Sequence, residues 1–307
     1  MKDTNLSLIR GNSYMFEGDL TVGVYFNDTN RSAVLIDSGA NKDVAKRIEQ
    51  SIKQKDYQIT SIIVTHGHQA QLGGVSYFKQ KYKGLKVYAT SWTTQFIEKR
   101  ALEDWLSGHI PCITKETEHN QSPDLITDIV PYTDHTLVID QVSFAVVPLP
   151  GHFPGMVGLI TPDQVFYCGD AIFGKKTLNK QKLLYYTDIK GAKASLRKIG
   201  KRKTNGYVLS HGGVYTEVTD LIQQHLQLID ETSTFILGLV REQPMTLESI
   251  VQQVMKKYQL QNKSAHFTLA NSIVRSYLTE LSDNSKLRAT VNDGRLHYYA
   301  RSSAALI

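Results

Sequence analysis

Cysteine is nearly absent from this chain. Of 307 residues only Cys112 and Cys168 carry a thiol, which excludes a disulfide framework and any zinc site built from four thiolates. A site of two cysteines and two histidines would need both thiols, and they lack the close spacing such sites use. A reducing compartment is the plain reading. Long apolar runs are missing too: no stretch reaches the roughly 18 unbroken apolar residues that a membrane helix needs. The first 18 residues carry polar and charged side chains throughout and no apolar h-region, so no secretory signal is expected and the chain reads as cytoplasmic. What is present is a hydrophobic fraction of 41%, enough for one large domain or two ordinary ones. Ten histidines remain as candidate ligands.

The net charge of +6 is shared along the chain. From residue 231 onward there are nine Lys/Arg and six Asp/Glu, which is +3, and the other +3 belongs to residues 1–230. Neither part reads as a polyanion binder. Residues 175–203 stand out, with eleven Lys/Arg against one acid, Asp188. Ala192, Leu196 and Ile199 recur there at helical spacing and face inward, so the charges face water. This stretch is either a solvated helix face or a device that steers an anionic small molecule toward a nearby site.

Short β runs open the chain at 13–16, 20–27 and 32–37, with Asn27-Asp28-Thr29-Asn30 as turn chemistry. A helix over 41–55 follows, with Asn41 as its N-cap and Val44, Ile48 and Ile52 on one face. Further strands are expected at 61–64, 86–89, 136–139, 142–148, 156–161, 165–168 and 206–209, with a helix after Gly73-Gly74. Residues 93–128 are polar with an irregular pattern and read as an insertion over one face. The alternation of strands and helices predicts an α/β layered domain. From residue 217 the pattern changes to a long amphipathic helix stopped by Pro244, a second helix capped by Thr246 and a third over 265–281. Two strands flanking Asn292-Asp293-Gly294 complete a hairpin. This is a winged-helix-like unit, and we place the domain boundary at 230/231.

Four apolar strand runs each lead into a potential metal ligand: 61–65 into His66-Gly67-His68, 144–150 into Gly151-His152, 165–169 into Asp170, and 207–210 into His211. Rigid scaffolds place functional groups at strand ends. Three histidines and one carboxylate suit Zn²⁺ with one position open to water. Each residue alone has a bland alternative as a loop, cap or surface side chain; the ordered set after four strands is what carries the signal.

Thr65-His66-Gly67-His68, Leu72-Gly73-Gly74, Leu149-Pro150-Gly151-His152, Cys168-Gly169-Asp170 and Ser210-His211-Gly212-Gly213 resemble the metallo-β-lactamase superfamily of hydrolases. Val34-Leu35-Ile36-Asp37-Ser38-Gly39 is similar to its early strand and loop. The resemblance covers about residues 10–215 and implies an αββα sandwich with its metal site at one edge between two sheets. The C-terminal unit is similar to the winged-helix appendage of some glyoxalase-II-like members. By this resemblance His66, His68 and His152 are first-site ligands, Asp170 is a bridging carboxylate and His211 belongs to a second site. The family motif His-x-His-x-Asp-His here reads His66-Gly67-His68-Gln69-Ala70-Gln71, so the Asp and the last His are Ala70 and Gln71. The loss predicts one tightly held ion, Zn²⁺ with iron or manganese as alternatives, and a poor second site.

Two readings follow. One is a mononuclear hydrolase of a thioester, ester, lactone or phosphodiester, with Asp170 and His211 as its catalytic side chains. The other is a catalytically reduced binding or regulatory scaffold. β-Lactam hydrolysis is not expected of a cytoplasmic protein. The third C-terminal helix carries one clear cation, Arg275, against Glu280. Packing, pocket closure or homodimer formation is therefore expected of that unit rather than nucleic-acid binding. Cys168 reads as a buried filler, and His109, His119 and His135 as surface histidines.

Overall fold

The computed structural model describes residues 5–18, 20–98 and 124–301. Two mixed sheets face each other. The first runs in the order β1 (Leu6–Arg10), β2 (Ser13–Phe16), β3 (Val22–Asn27), β4 (Ser32–Ile36), β5 (Gln58–Ile63), β6 (Lys86–Thr90) and β7 (Asp128–Val130). The second runs β13 (Gly213–Tyr215), β12 (Gly206–Leu209), β11 (Val165–Tyr167), β10 (Val157–Ile160), β9 (Val142–Pro148) and β8 (His135–Ile139).

The period of two along each strand sorts side chains into layers. In β4, Ala33 and Leu35 join a core beneath α1 (Lys42–Lys53) and α3 (Val75–Lys81), whereas Val34 and Ile36 join a core between the sheets. There they meet Phe144, Val146, Leu159 and Val165 of the second sheet. Burial on both faces explains why these strands read as continuous apolar runs. The outer face of the second sheet is covered by α6 (Ile189–Lys201) through Ala192, Leu196 and Ile199. Helices outside and sheets inside make the αββα order. Asn41 caps α1 as its sequence predicts, its Oδ1 accepting from the Asp43 and Val44 amides at 3.0 Å each.

Three strands escape the sequence patterning. β1, β7 and β13 are short and lie at sheet edges. Pairing to a neighbour forms them more than their own composition does. Of the polar stretch 93–128, α4 (Ser91–Glu98) opens it and β7 closes it, while 99–123, with Cys112, His109 and His119, lie outside the described residues.

The C-terminal part comprises α7 (Thr219–Glu242), α8 (Leu247–Lys257), α9 (Ser264–Asp283) and an antiparallel ribbon, β14 (Leu287–Asn292) with β15 (Arg295–Ala300). α7 is continuous through residue 230. Ile229, Ile236, Ile273 and Tyr277 belong to the same apolar cluster as Leu196 and Ile199 of α6. The half-buried Lys193 side chain carries its ammonium to Asp230 and Glu280, both at 3.0 Å. Among the described residues, no helix is long and apolar enough to cross a membrane.

Candidate metal centre

Each candidate ligand sits just beyond the C-terminal end of a strand. β5 leads through Thr65 to His66 and His68, β9 through Pro150-Gly151 to His152, β11 to Asp170 and β12 to His211. β11 and β12 are parallel neighbours, so their ends, and hence Asp170 and His211, emerge side by side. The sheets are stitched together at this edge by the Val157 amide donating to the Thr65 carbonyl at 3.0 Å. Gly151 has φ +130, and a Cβ there would lie 2.5 Å from the Ala192 backbone. Only glycine lets the His152 loop lie against the start of α6.

His66, His68, His152 and Asp170 bring one ligand atom each within 4.8 Å of one another. His66 Nε2 and His152 Nε2 both lie 3.1 Å from His68 Nδ1. Asp170 Oδ2 is 3.6 Å from His66 Nε2, 3.4 Å from His152 Nε2 and 3.5 Å from His211 Nε2. The far ring atoms fix the tautomers. His152 Nδ1 lies 3.0 Å from the Tyr185 carbonyl, which can only accept. His66 Nδ1 lies 3.1 Å from Thr65 Oγ1, whose own proton goes to the Asp37 carboxyl. Both rings therefore carry hydrogen on Nδ1 and turn an Nε2 lone pair inward. His68 Nδ1 holds at most one hydrogen and cannot satisfy both neighbours. Asp170 Oδ1, buried, has no hydrogen-bond partner among the described residues. Converging lone pairs beside a carboxylate are the arrangement a cation satisfies, so the donors present fit a metal ion.

Electrostatics agree with that donor set. Burial holds His66 and His152 below the usual imidazole range and takes His68 down to about 3, so all three are neutral. Burial alone would raise the Asp170 carboxyl, but the His211 hydrogen bond and the surrounding imidazoles hold it well below the carboxylate range. The same hydrogen bond raises His211, whose side chain is 38% exposed and outside the tight cluster. Asp37 is buried and pushed up to about 8, mainly by desolvation.

At the family's departure, Ala70 and Gln71 lie in the short helix α2 (Gln69–Leu72). Gln71 is buried and its Oε1 has no partner among the described residues. Its carbonyl accepts from the Ser38 amide at 2.7 Å and the Ser38 hydroxyl at 2.9 Å. His135 stands at the start of β8, its Nδ1 donating to the Thr133 carbonyl, and takes no part in the cluster. Burial pushes the Cys168 thiol up, which fits a filler and not a nucleophile. Sequence reasoning missed the support around the ligands. Asp37 left a signal, an ionisable residue ending an apolar run; Tyr185 left none, because it acts through its backbone carbonyl.

A cavity of about 620 Å³ opens beside His211, lined also by Phe173, Lys176, Thr177, Lys180 and Tyr215. Lys176 and Lys180 are four residues apart in α5 (Lys175–Lys180), and neither forms an ion pair among the described residues. Three other cations of the basic stretch are paired: Lys193 as above, and Lys198 and Arg202 with Asp134, at 2.8 Å each.

The family model described as the metallo-beta-lactamase superfamily matches residues 18–211. The hydroxyacylglutathione hydrolase GloC of Haemophilus influenzae is 26% identical over 150 residues, 48% of this chain and 64% of that protein. The metallo-beta-lactamase type 2 of Bacillus cereus is 24% identical over 113 residues, 36% of this chain and 43% of that protein. The chain thus spans less than two thirds of the length of either relative. Among solved structures, a beta-lactamase domain protein from Burkholderia ambifaria superposes with a TM-score of 0.72 at 16% identity, over 96% of this chain and 94% of that one. A metallo-beta-lactamase family protein from Thermus thermophilus gives 0.68 at 16% identity, over 96% and 97%. At such identities the likeness concerns the fold.

Proposed function

The chain belongs to the metallo-beta-lactamase superfamily, and on that footing we propose that it is a metal-dependent hydrolase with one tightly held ion. The observation that carries this reading is the convergence of three neutral imidazoles and one ionised carboxylate on a common point. His66, His68, His152 and Asp170 would hold the ion, with Zn²⁺ favoured by the nitrogen-rich set over iron or manganese. When bound, such an ion polarises the scissile carbonyl or phosphoryl oxygen and makes its water acidic near neutral pH.

The chain's own groups do the rest. His211, raised by Asp170 and bordering the open cavity, gives a proton to the developing oxyanion or leaving group. Asp170 Oδ1 orients the attacking water. Lys176 and Lys180 attract an anionic part of a small-molecule substrate. A thioester leads the substrate classes because of the hydroxyacylglutathione hydrolase relative; ester, lactone and phosphodiester follow. We read the protein as cytoplasmic. We also read residues 231–307 as a winged-helix-like unit that packs against the site and does not read DNA. Its Arg275 is already bonded to Asn271 at 3.3 Å.

One observation favours a second reading, a reduced binding or regulatory scaffold: Ala70 stands where the family places a carboxylate. Metal-replete purification with elemental analysis, followed by assay on thioesters, esters, lactones, phosphodiesters and nitrocefin, separates the two. The hydrolase reading expects about one ion per chain, turnover of at least one non-lactam substrate, and no rapid nitrocefin turnover. No bound metal and no turnover would leave the scaffold.

A further inference from the structure

His225 lies in the second turn of α7, fully buried, far along the chain from the ligand loops. Its Nδ1 donates to the Leu221 carbonyl one turn earlier at 2.7 Å. A carbonyl can only accept, so the hydrogen is on Nδ1 and Nε2 is a lone pair. That lone pair receives the Phe173 amide at 2.9 Å. The imidazole also stacks on the Phe173 ring, with centroids 5.9 Å apart and planes at 16°. Phe173 in turn touches His152 at 5.9 Å and His211 at 6.0 Å between ring centroids.

The segment held in this way is the turn that carries Asp170. It leaves β11 through Gly169 at φ +56 and has no regular ladder of its own. Its other backbone ties are the Cys168 amide to the Val208 carbonyl at 2.8 Å, the Ser210 amide to the Gly169 carbonyl at 3.3 Å, the Ala171 amide to the Cys168 carbonyl at 3.3 Å and the Gly174 amide to the His211 carbonyl at 2.8 Å. A further tie is the Tyr186 hydroxyl to the Ala171 carbonyl at 3.3 Å. Tyr186 is itself gripped from the C-terminal part, its carbonyl accepting from Ser276 Oγ of α9 at 2.9 Å. The neighbouring carbonyl, Tyr185, is the one that orients His152. Two C-terminal helices therefore reach both the Asp170 turn and the carbonyl behind His152.

We infer that His225 is a positioning residue, through which α7 sets the Asp170 turn and the Phe173 ring against His152 and His211. The inference rests on the metal-site reading for its consequence and on geometry alone for its mechanism. A hydrogen-bonding partner one step behind the ligands typically changes metal affinity by about 10–100-fold. Losing the Nε2 acceptor also leaves the buried Phe173 amide without a partner.

The test compares His225→Phe, which keeps an aromatic ring but no acceptor, with His225→Gln, whose amide oxygen restores one. Val254→Ala serves as control, since it opens a cavity in α8 at a fully buried residue of the same apolar cluster without removing a hydrogen-bonding group. Backbone hydrogen exchange over residues 168–174, in the metal-free full chain, should lose protection in His225→Phe, recover in His225→Gln and stay unchanged in Val254→Ala. Zinc affinity by chelator competition should fall about ten-fold or more in His225→Phe and stay near wild type in the other two. Unchanged exchange protection in His225→Phe overturns the inference, and so does a loss of zinc affinity equal in His225→Phe and Val254→Ala. If the wild type binds no zinc, the metal-site reading fails, and the exchange measurement still decides the role of His225.

Discussion

The two sides of the Asp170 carboxylate differ in how completely they are furnished. Toward His66, His68 and His152 every ring is buried or nearly so, and two of the three are oriented from behind, by Thr65 with Asp37 and by the Tyr185 carbonyl. Toward His211 the ring is 38% exposed, the cavity is open, and the positions that would complete a second ion are an alanine and a glutamine. We read the first side as a receptacle for a cation. We read the second as an opening for a substrate, with two lysines on its wall that form no ion pair among the described residues. On this reading two residues of one short helix, Ala70 and Gln71, account for the difference between the sides.

The largest effect should come from emptying the complete side. His66→Ala or His152→Ala should reduce bound metal, measured by elemental analysis, from about one ion per chain to a small fraction of one. Retention of a full ion would relocate the site. Furnishing the poor side should do the reverse: Ala70→Asp combined with Gln71→His should raise the content toward about two ions per chain. If the unmodified protein already holds two, the account of Ala70 and Gln71 is wrong.

Loosening the support behind the complete side should be milder. Thr65→Val removes the hydroxyl between His66 and Asp37 and should weaken metal binding by about 10–100-fold at unchanged stoichiometry, read by chelator competition. Mutation on the open side should be smaller still. Lys176→Ala or Lys180→Ala should raise KM for an anionic substrate about two- to five-fold, leave kcat alone and flatten the dependence of kcat/KM on salt. An equal effect on a neutral analogue would show the lysines act by packing.

Acid should expose the buried histidine that supports the turn from α7. Desolvation takes His225 from 6.5 in a free side chain to about 4. The unfolded chain then binds more protons between those values, so the contribution is complete above pH 6.5 and is lost as pH falls toward 4. At about 1.4 kcal/mol per pH unit this is worth about 3 kcal/mol. Denaturant midpoints of the metal-free protein should fall over that window, and less steeply in His225→Phe.

The layered fold and the strand ends that bring His66, His68, His152 and Asp170 together are legible in the residues alone, because two-sided burial writes continuous apolar runs and a candidate side chain follows each. The lopsidedness is legible too, since Ala70 and Gln71 are plain in the motif. Other features arise only on folding: Asp37 and Thr65 stand behind His66, a tyrosine carbonyl orients His152, and α7 and α9 grip the ligand turns. Those contacts join residues up to 90 positions apart, several through backbone atoms that every residue possesses. Local composition carries no mark of a partner that only folding brings within 3 Å.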